Sequence, residues 1–197
     1  MKTDPSNLIE VSLSLFRSKG YRRTSMADIG RATGLLKGSI YHHFPNKERL
    51  LIEVVQHVIG LFENGVFTEA RRADLSEKQR LDGMVDAVES YYIQHRVCAL
   101  VHLWPDALQE SDEARGMIQQ FFRDWRDLLA GLLASRYAEA EAHRLATDAL
   151  ARIEGEIAFR VLLERFPTLT LAADVSDLRW HKSLLLRGLA ALPVRAG

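Results

Sequence analysis

Apolar residues return every three or four positions along almost the whole chain, and no stretch shows the strict alternation of a half-buried strand. That period dictates an all-α fold, and the punctuation between apolar runs divides it into about nine helices. Leu8, Ile9, Val11, Ser12 and Phe16 mark a first amphipathic helix, capped by Asn7 or Ser6 and stopped by Gly20. A second, short helix follows Thr24, carries Met26 and Ile29 and ends at Gly34. A third runs from about Leu36 to His43, where Pro45 forces its predecessor out of the α region. Asn46 then caps a long fourth helix with Leu51, Val54, Val55, Val58 and Phe62 on one side.

Farther on, Leu81, Val85, Val88 and Tyr92 trace one helix, and Pro105 is expected to break the apolar stretch Val97–Trp104. Ser111-Asp112-Glu113 reads as a cap followed by first-turn acids, which suit the positive end of a helix dipole. Ile118, Phe121, Phe122, Trp125, Leu129, Leu132 and Leu133 follow on one face roughly 120° wide. Two later segments, about Ala140 to Arg165 and about Ser176 to Leu192, are apolar on more than one side. Such helices need cover on more than one side, and pairing with symmetry mates in a homodimer supplies it. Gly155 and Ala158 are the expected close-approach points of that interface, with Phe159, Leu163 and Leu184 as anchors.

Charge separates the chain more sharply than hydropathy does. Lys+Arg and Asp+Glu number 26 each, yet residues 1–50 hold nine basic and four acidic residues, net +5, leaving net −5 on the other 147. A small basic head on an acidic body suits a phosphate-binding module joined to a domain with another task. A single cysteine, Cys98, rules out an internal disulfide framework. The N-terminus has no long apolar region, and no stretch approaches the ~18 uncharged apolar residues of a membrane span, so a cytoplasmic protein without a membrane partner is expected.

The stretch with most chemical content is Thr24-Ser25-Met26-Ala27-Asp28-Ile29, followed by Lys37-Gly38-Ser39-Ile40-Tyr41-His42-His43-Phe44 and Asn46-Lys47-Glu48. Two short helices meeting at a glycine turn form a helix-turn-helix. Met26, Ile29, Ile40 and Phe44 face inward and pack the pair on the first helix. The second helix of the pair turns outward Lys37 and Gly38, which let a phosphate approach, Ser39, which donates or accepts, and Tyr41 and His42, which reach a phosphate or a thymine methyl. Lys47, in the first turn of the fourth helix, opposes the dipole unless an anion lies there.

These residues resemble the DNA-binding head of the tetracycline-repressor (TetR/AcrR) family over about residues 7–60. The resemblance implies a three-helix head at residues 1–50, joined by the long fourth helix to a ligand-binding and dimerisation domain at 51–197. It implies a homodimeric repressor that holds a palindromic double-stranded operator and lets go when a small effector binds. Carried onto this chain, it implies phosphate contacts from Thr24, Lys37, Tyr41, His42 and Lys47, places Ser39 and Tyr41 near base edges, and counts Ser25 and Gly38 among the DNA-binding residues. Two positions depart from the family's habit: Leu36 stands where a serine is common, and Gly30 where an alanine is.

The remaining chemistry-bearing residues are sparse. His42 and His43 are adjacent, so their side chains diverge by about 100° on a helix and do not chelate one ion. His95, Cys98 and His102 share a face of an unbroken helix but lack a fourth ligand, and neither metal nor cofactor is expected. The aromatic side chains Tyr92, Trp104, Phe121, Phe122 and Trp125 are the default lining for an apolar or aromatic effector, with Glu89, His95 or His102 as a polar anchor. A helical small-molecule-binding enzyme without DNA binding is the rival reading. Against it, no nucleophile, base and orienting group fall in register.

Overall fold

The computed structural model describes residues 5–95, 99–165, 170–171 and 194–195. Nine α-helices are present among them: α1 (Pro5–Lys19), α2 (Met26–Thr33), α3 (Lys37–His43), α4 (Lys47–Phe62), α5 (Thr68–Ala70), α6 (Glu77–His95), α7 (Ala99–Glu110), α8 (Asp112–Leu133) and α9 (Glu139–Arg165). A π turn, Glu63–Phe67, joins α4 to α5. Strands β1 (Thr170–Leu171) and β2 (Val194–Arg195) form a two-residue antiparallel pairing that leaves the class all-α. The segment expected to be helical from Ser176 to Leu192, Leu184 included, lies outside the described residues.

The chain forms two compact units, Met1–Asn64 with Ala99–Phe121, and Gly65–Cys98 with Phe122–Gly197. In the first, α1 packs on α2, α4 and α7, and α2 packs on α3. Its core is Leu8, Phe16, Ile29, Ile40, Leu50, Leu51, Val54, Val55 and Phe62, all buried, with Phe16 edge-on to Tyr21 at 5.1 Å. Full burial of each such side chain stabilises the fold by roughly 1.5–3 kcal/mol before entropy is counted. The run Lys47–Ala70 is long and apolar enough on composition to cross a membrane, but half of it is buried inside the protein, where a core helix has the same composition.

Turn chemistry follows the sequence closely. Gly20, at φ 84°, ends α1 with its N–H on the Phe16 carbonyl at 2.9 Å. Gly34, at φ 69°, closes α2 by donating to the Gly30 carbonyl. Asn46 caps α4 by accepting from the Arg49 N–H at 2.7 Å, and Ser111 caps α8 through the Ala114 N–H at 3.3 Å. Phe44, before Pro45, is extended at φ −129°, ψ 103°.

Three expectations are corrected. The first helix already includes Pro5, so the proposed caps Ser6 and Asn7 lie within it rather than at its start. Pro105 lies inside α7 rather than breaking it, at the cost of the N–H that would have bonded to the Val101 carbonyl and of its ring crowding that carbonyl. On α6 the buried stripe is Met84, Val88 and Tyr91, spaced i, i+4, i+7, while Val85 is 54% exposed. Val88 belongs to both possible stripes, so period alone did not separate them.

The π turn has a packing consequence. Residues five apart lie about 140° apart around an α-helix. A π turn closes i to i+5 and brings them to one side. Within the first unit Phe62 meets Phe121 edge-on at 5.2 Å; within the second Phe67 lies 6.3 Å from Trp125.

Gly30 explains its own departure from alanine: a Cβ there would sit 3.1 Å from the Leu35 carbonyl oxygen and 3.2 Å from Ile40 Cδ1. A Cβ would fit only if the Leu35 carbonyl or the Ile40 side chain gave way by a few tenths of an ångström. Gly34→Ala is expected to lower stability by about 1 kcal/mol because of its left-handed backbone. Gly30→Val is expected to cost more by separating the two helices. Urea unfolding of both variants checks the order.

Candidate nucleic-acid interface

Each helix of the α2–α3 pair is set by its ends. Ser25 caps α2 through a full capping box: its Oγ accepts from the Asp28 N–H at 3.1 Å, while Asp28 Oδ2 accepts from the Ser25 N–H at 2.8 Å and from its hydroxyl at 2.7 Å. Asp28 also pairs with Arg31 and lies 3.8 Å from Lys19. The Ser25 hydroxyl and backbone bonds, with Arg31, hold its carboxyl well below the usual carboxylate range. Leu36 occupies the N-cap of α3 with no side-chain hydrogen bond and is 81% exposed.

On α3, Ile40 and Phe44 are buried, while Gly38, Tyr41 and His42 are exposed and Ser39 is half-buried. No atom lies within 4 Å of where a Gly38 Cβ would stand, so this part of the helix presents bare backbone. The rings of His42 and His43 meet edge-on, centroids 5.5 Å apart. The side chain of Lys37 lies outside the described set.

Two residues expected at phosphates have internal partners. Thr24 is fully buried, its hydroxyl donating to the Gly20 carbonyl at 2.9 Å and its N–H to the Tyr21 carbonyl, so it is part of the turn rather than a surface donor. Lys47 Nζ donates to the carbonyls of Tyr21 and Thr24, both at 3.2 Å, and lies 4.2 Å above the Tyr21 ring. Carbonyl oxygens thus answer the charge that opposes the α4 dipole. Burial, then the nearby carboxylates of Glu110, Glu48 and Asp106, push the Tyr21 hydroxyl up to about 12. Sequence spacing gave no hint of the partners of Arg22, which is bound to Glu110 at 2.9 Å and to Gln109.

The expected effector residues are distributed over both units. His102, Trp104 and Phe121 belong to the first; Glu89, Tyr92, His95, Phe122 and Trp125 belong to the second. Phe121, Phe122 and Trp125 are buried, Tyr92 and Trp104 are half-buried, and Glu89 and His102 are exposed. Cys98 and the His95 side chain lie outside the described set, and among the described residues no cluster of three or more His, Cys, Asp or Glu could hold a metal. Within the second unit, an open cleft of about 450 Å³ is lined by Arg126, Ala140, His143, Arg144 and Thr147. Arg126 is paired with Asp127, and Arg144 with Glu141 and Asp148. Gly155, Ala158, Phe159 and Leu163 are on α9, where side chains from residue 153 onward are outside the described set.

Residues 8–54 match the model for bacterial regulatory proteins of the tetR family, and residues 79–173 match the C-terminal domain of LmrA/YxaF-like transcriptional regulators. The chain is 26% identical to the HTH-type transcriptional repressor KstR2 of Rhodococcus jostii, over 80% of this chain and 73% of that one. A TetR transcriptional regulator from Legionella pneumophila superposes with TM-score 0.72 at 22% identity, covering 83% of this chain and 90% of that one. AibR, solved with isovaleryl coenzyme A and operator DNA, gives 0.64 at 19% identity over 81% and 96%. A short N-terminal stretch also matches cytochrome P450 107B1 of Saccharopolyspora erythraea, 61% identical over 49 residues, 25% of this chain and 12% of that protein.

The capping box makes acid sensitivity testable. Asp28 has a folded pKa below its unfolded value, so its contribution is complete above about pH 4 and is lost as pH falls from there. Thermal unfolding at pH 3 and pH 6 should show a smaller acid-induced drop for Asp28→Asn than for the native chain.

Proposed function

We propose that the chain is a ligand-responsive, DNA-binding repressor of the tetR family of bacterial regulatory proteins, cytoplasmic and acting as a homodimer on a palindromic operator; the two family-model matches and the repressor relatives support this reading. Residues 1–50 form the DNA-binding domain and 51–197 the effector-binding and dimerisation domain. The observation that carries this reading is α3. It is a short helix locked to α2 through Gly30, with bare backbone at Gly38 and with Tyr41 and His42 outward. An α3 laid in the major groove puts Ser39 and Tyr41 at base edges and Lys37, Tyr41 and His42 at phosphates, while Ser25, whose hydroxyl and N–H go to Asp28, sets the start of α2 behind it. Lys47 gives the backbone contact only by exchanging its carbonyl partners for a phosphate; otherwise it supports α3 from behind.

The effector is a small apolar or aromatic molecule held in the body, and the KstR2 and AibR likenesses support a repressor with an organic effector. A dimer fixes the spacing of its two α3 helices to about one turn of duplex, ~34 Å, so an effector that favours another spacing releases DNA without touching a base contact. By linkage, operator DNA weakens effector binding by the same factor. Dimerisation is assigned to Gly155, Ala158, Phe159, Leu163 and Leu184. Phe159→Glu is expected to sediment as a monomer and to lose operator binding while keeping its helical content. Selection of a duplex from a random pool, followed by mobility shift, tests the assignment: enrichment of a two-fold symmetric sequence supports it, and binding without sequence preference refutes it.

A further inference from the structure

Leu36 breaks two local rules at once. It is among the poorest N-cap residues, where Ser, Thr, Asp or Asn would satisfy a free N–H, and its side chain makes no hydrogen bond there. It is also 81% exposed, more than any other large hydrophobic among the described residues. Another exposed large hydrophobic residue, Tyr41, lies on the same short helix. Local choices that oppose stability are found where function requires them.

Leu36 directly precedes the first turn of α3, beside the bare backbone of Gly38 and the small Ser39. In a helix-turn-helix docked on DNA, the N-terminal residues of the second helix are the ones that contact base edges. Phosphates give an apolar side chain nothing. Base edges in the major groove present donors and acceptors, and the apolar group among them is the C5-methyl of thymine. We propose that Leu36 is a specificity-determining residue that covers a thymine methyl in each operator half-site. The proposal rests on the DNA-reading assignment above.

The experiment uses the full-length chain and a duplex selected from a random pool. Each thymine of one half-site is replaced in turn by deoxyuridine, which deletes the methyl and keeps every hydrogen-bonding group. At one thymine the native protein should bind about fourfold more weakly, the worth of one buried methyl. Leu36→Ala and Leu36→Ser should bind thymine and uracil duplexes equally at that position. Leu36→Ser restores a hydroxyl cap and should melt no lower than the native chain, so its loss of discrimination is not a loss of fold.

Three results overturn the proposal. Uracil could leave native binding unchanged at every position. The penalty could persist in both variants, which would assign the methyl to another side chain such as Tyr41. Leu36→Ala could instead weaken all sequences alike, which would place Leu36 on the sugar-phosphate backbone. If the pool yields no preferred sequence, the operator reading fails first and takes the proposal with it; a preferred sequence that ignores the methyl removes only the proposal.

Discussion

The ammonium group of Lys47 holds the first unit's reading end together. It sits at the start of α4, yet it bonds to the carbonyls of Tyr21 and Thr24, in the turn between α1 and α2. That turn starts α2, and α2 aims α3 through the Gly30 contact. One charged side chain therefore ties the first, second and fourth helices, and α3 inherits its direction from all three. Hydrogen bonds to a charged group stabilise by about 1.5–3 kcal/mol each when well shielded, less at a half-buried site such as this one. The Tyr21 ring beneath the ammonium restores part of what exposure removes.

The basic head is less free with its charge than its composition suggests. Arg22 is held by Glu110 and Gln109 at the end of α7, Arg49 by Glu53 with Glu113 3.6 Å away, and Arg31 by Asp28. Several of these partners come from beyond residue 50, on α7 and the start of α8, which belong to the same compact unit and pack there through α7 on α1 and α4. The acidic surplus of the body is in part the counter-charge of the head.

Local grammar was legible in the sequence. Gly20, Gly34, Pro45, Asn46 and Ser111 act where backbone sterics and orphan N–H groups require them, because each needs only its near neighbours. Long-range choices were not legible. Met84 and Val85 are equally apolar, and only the tertiary neighbours of α6 decide which is covered. Thr24 and Lys47 are plausible phosphate donors by residue type, and only the folded turn reveals carbonyls within their reach. The outward residues of α3 were readable because a helix with two buried positions, Ile40 and Phe44, has no choice about its other face. The expected effector residues, spread over Tyr92, Trp104 and Phe121, rest on aromatic content, which a core and a cavity share.

The π turn at Glu63–Phe67 changes how this chain should be compared with its relatives. It accommodates one residue more than an α-helical turn would, in the middle of an otherwise unbroken helical run. A relative whose helix runs straight here lacks that residue. An alignment that forbids gaps inside helices will then slide one side of the turn by a place and pair buried positions with exposed ones. Low identity across residues 60–70 would in that case measure a frame shift rather than a divergence of chemistry.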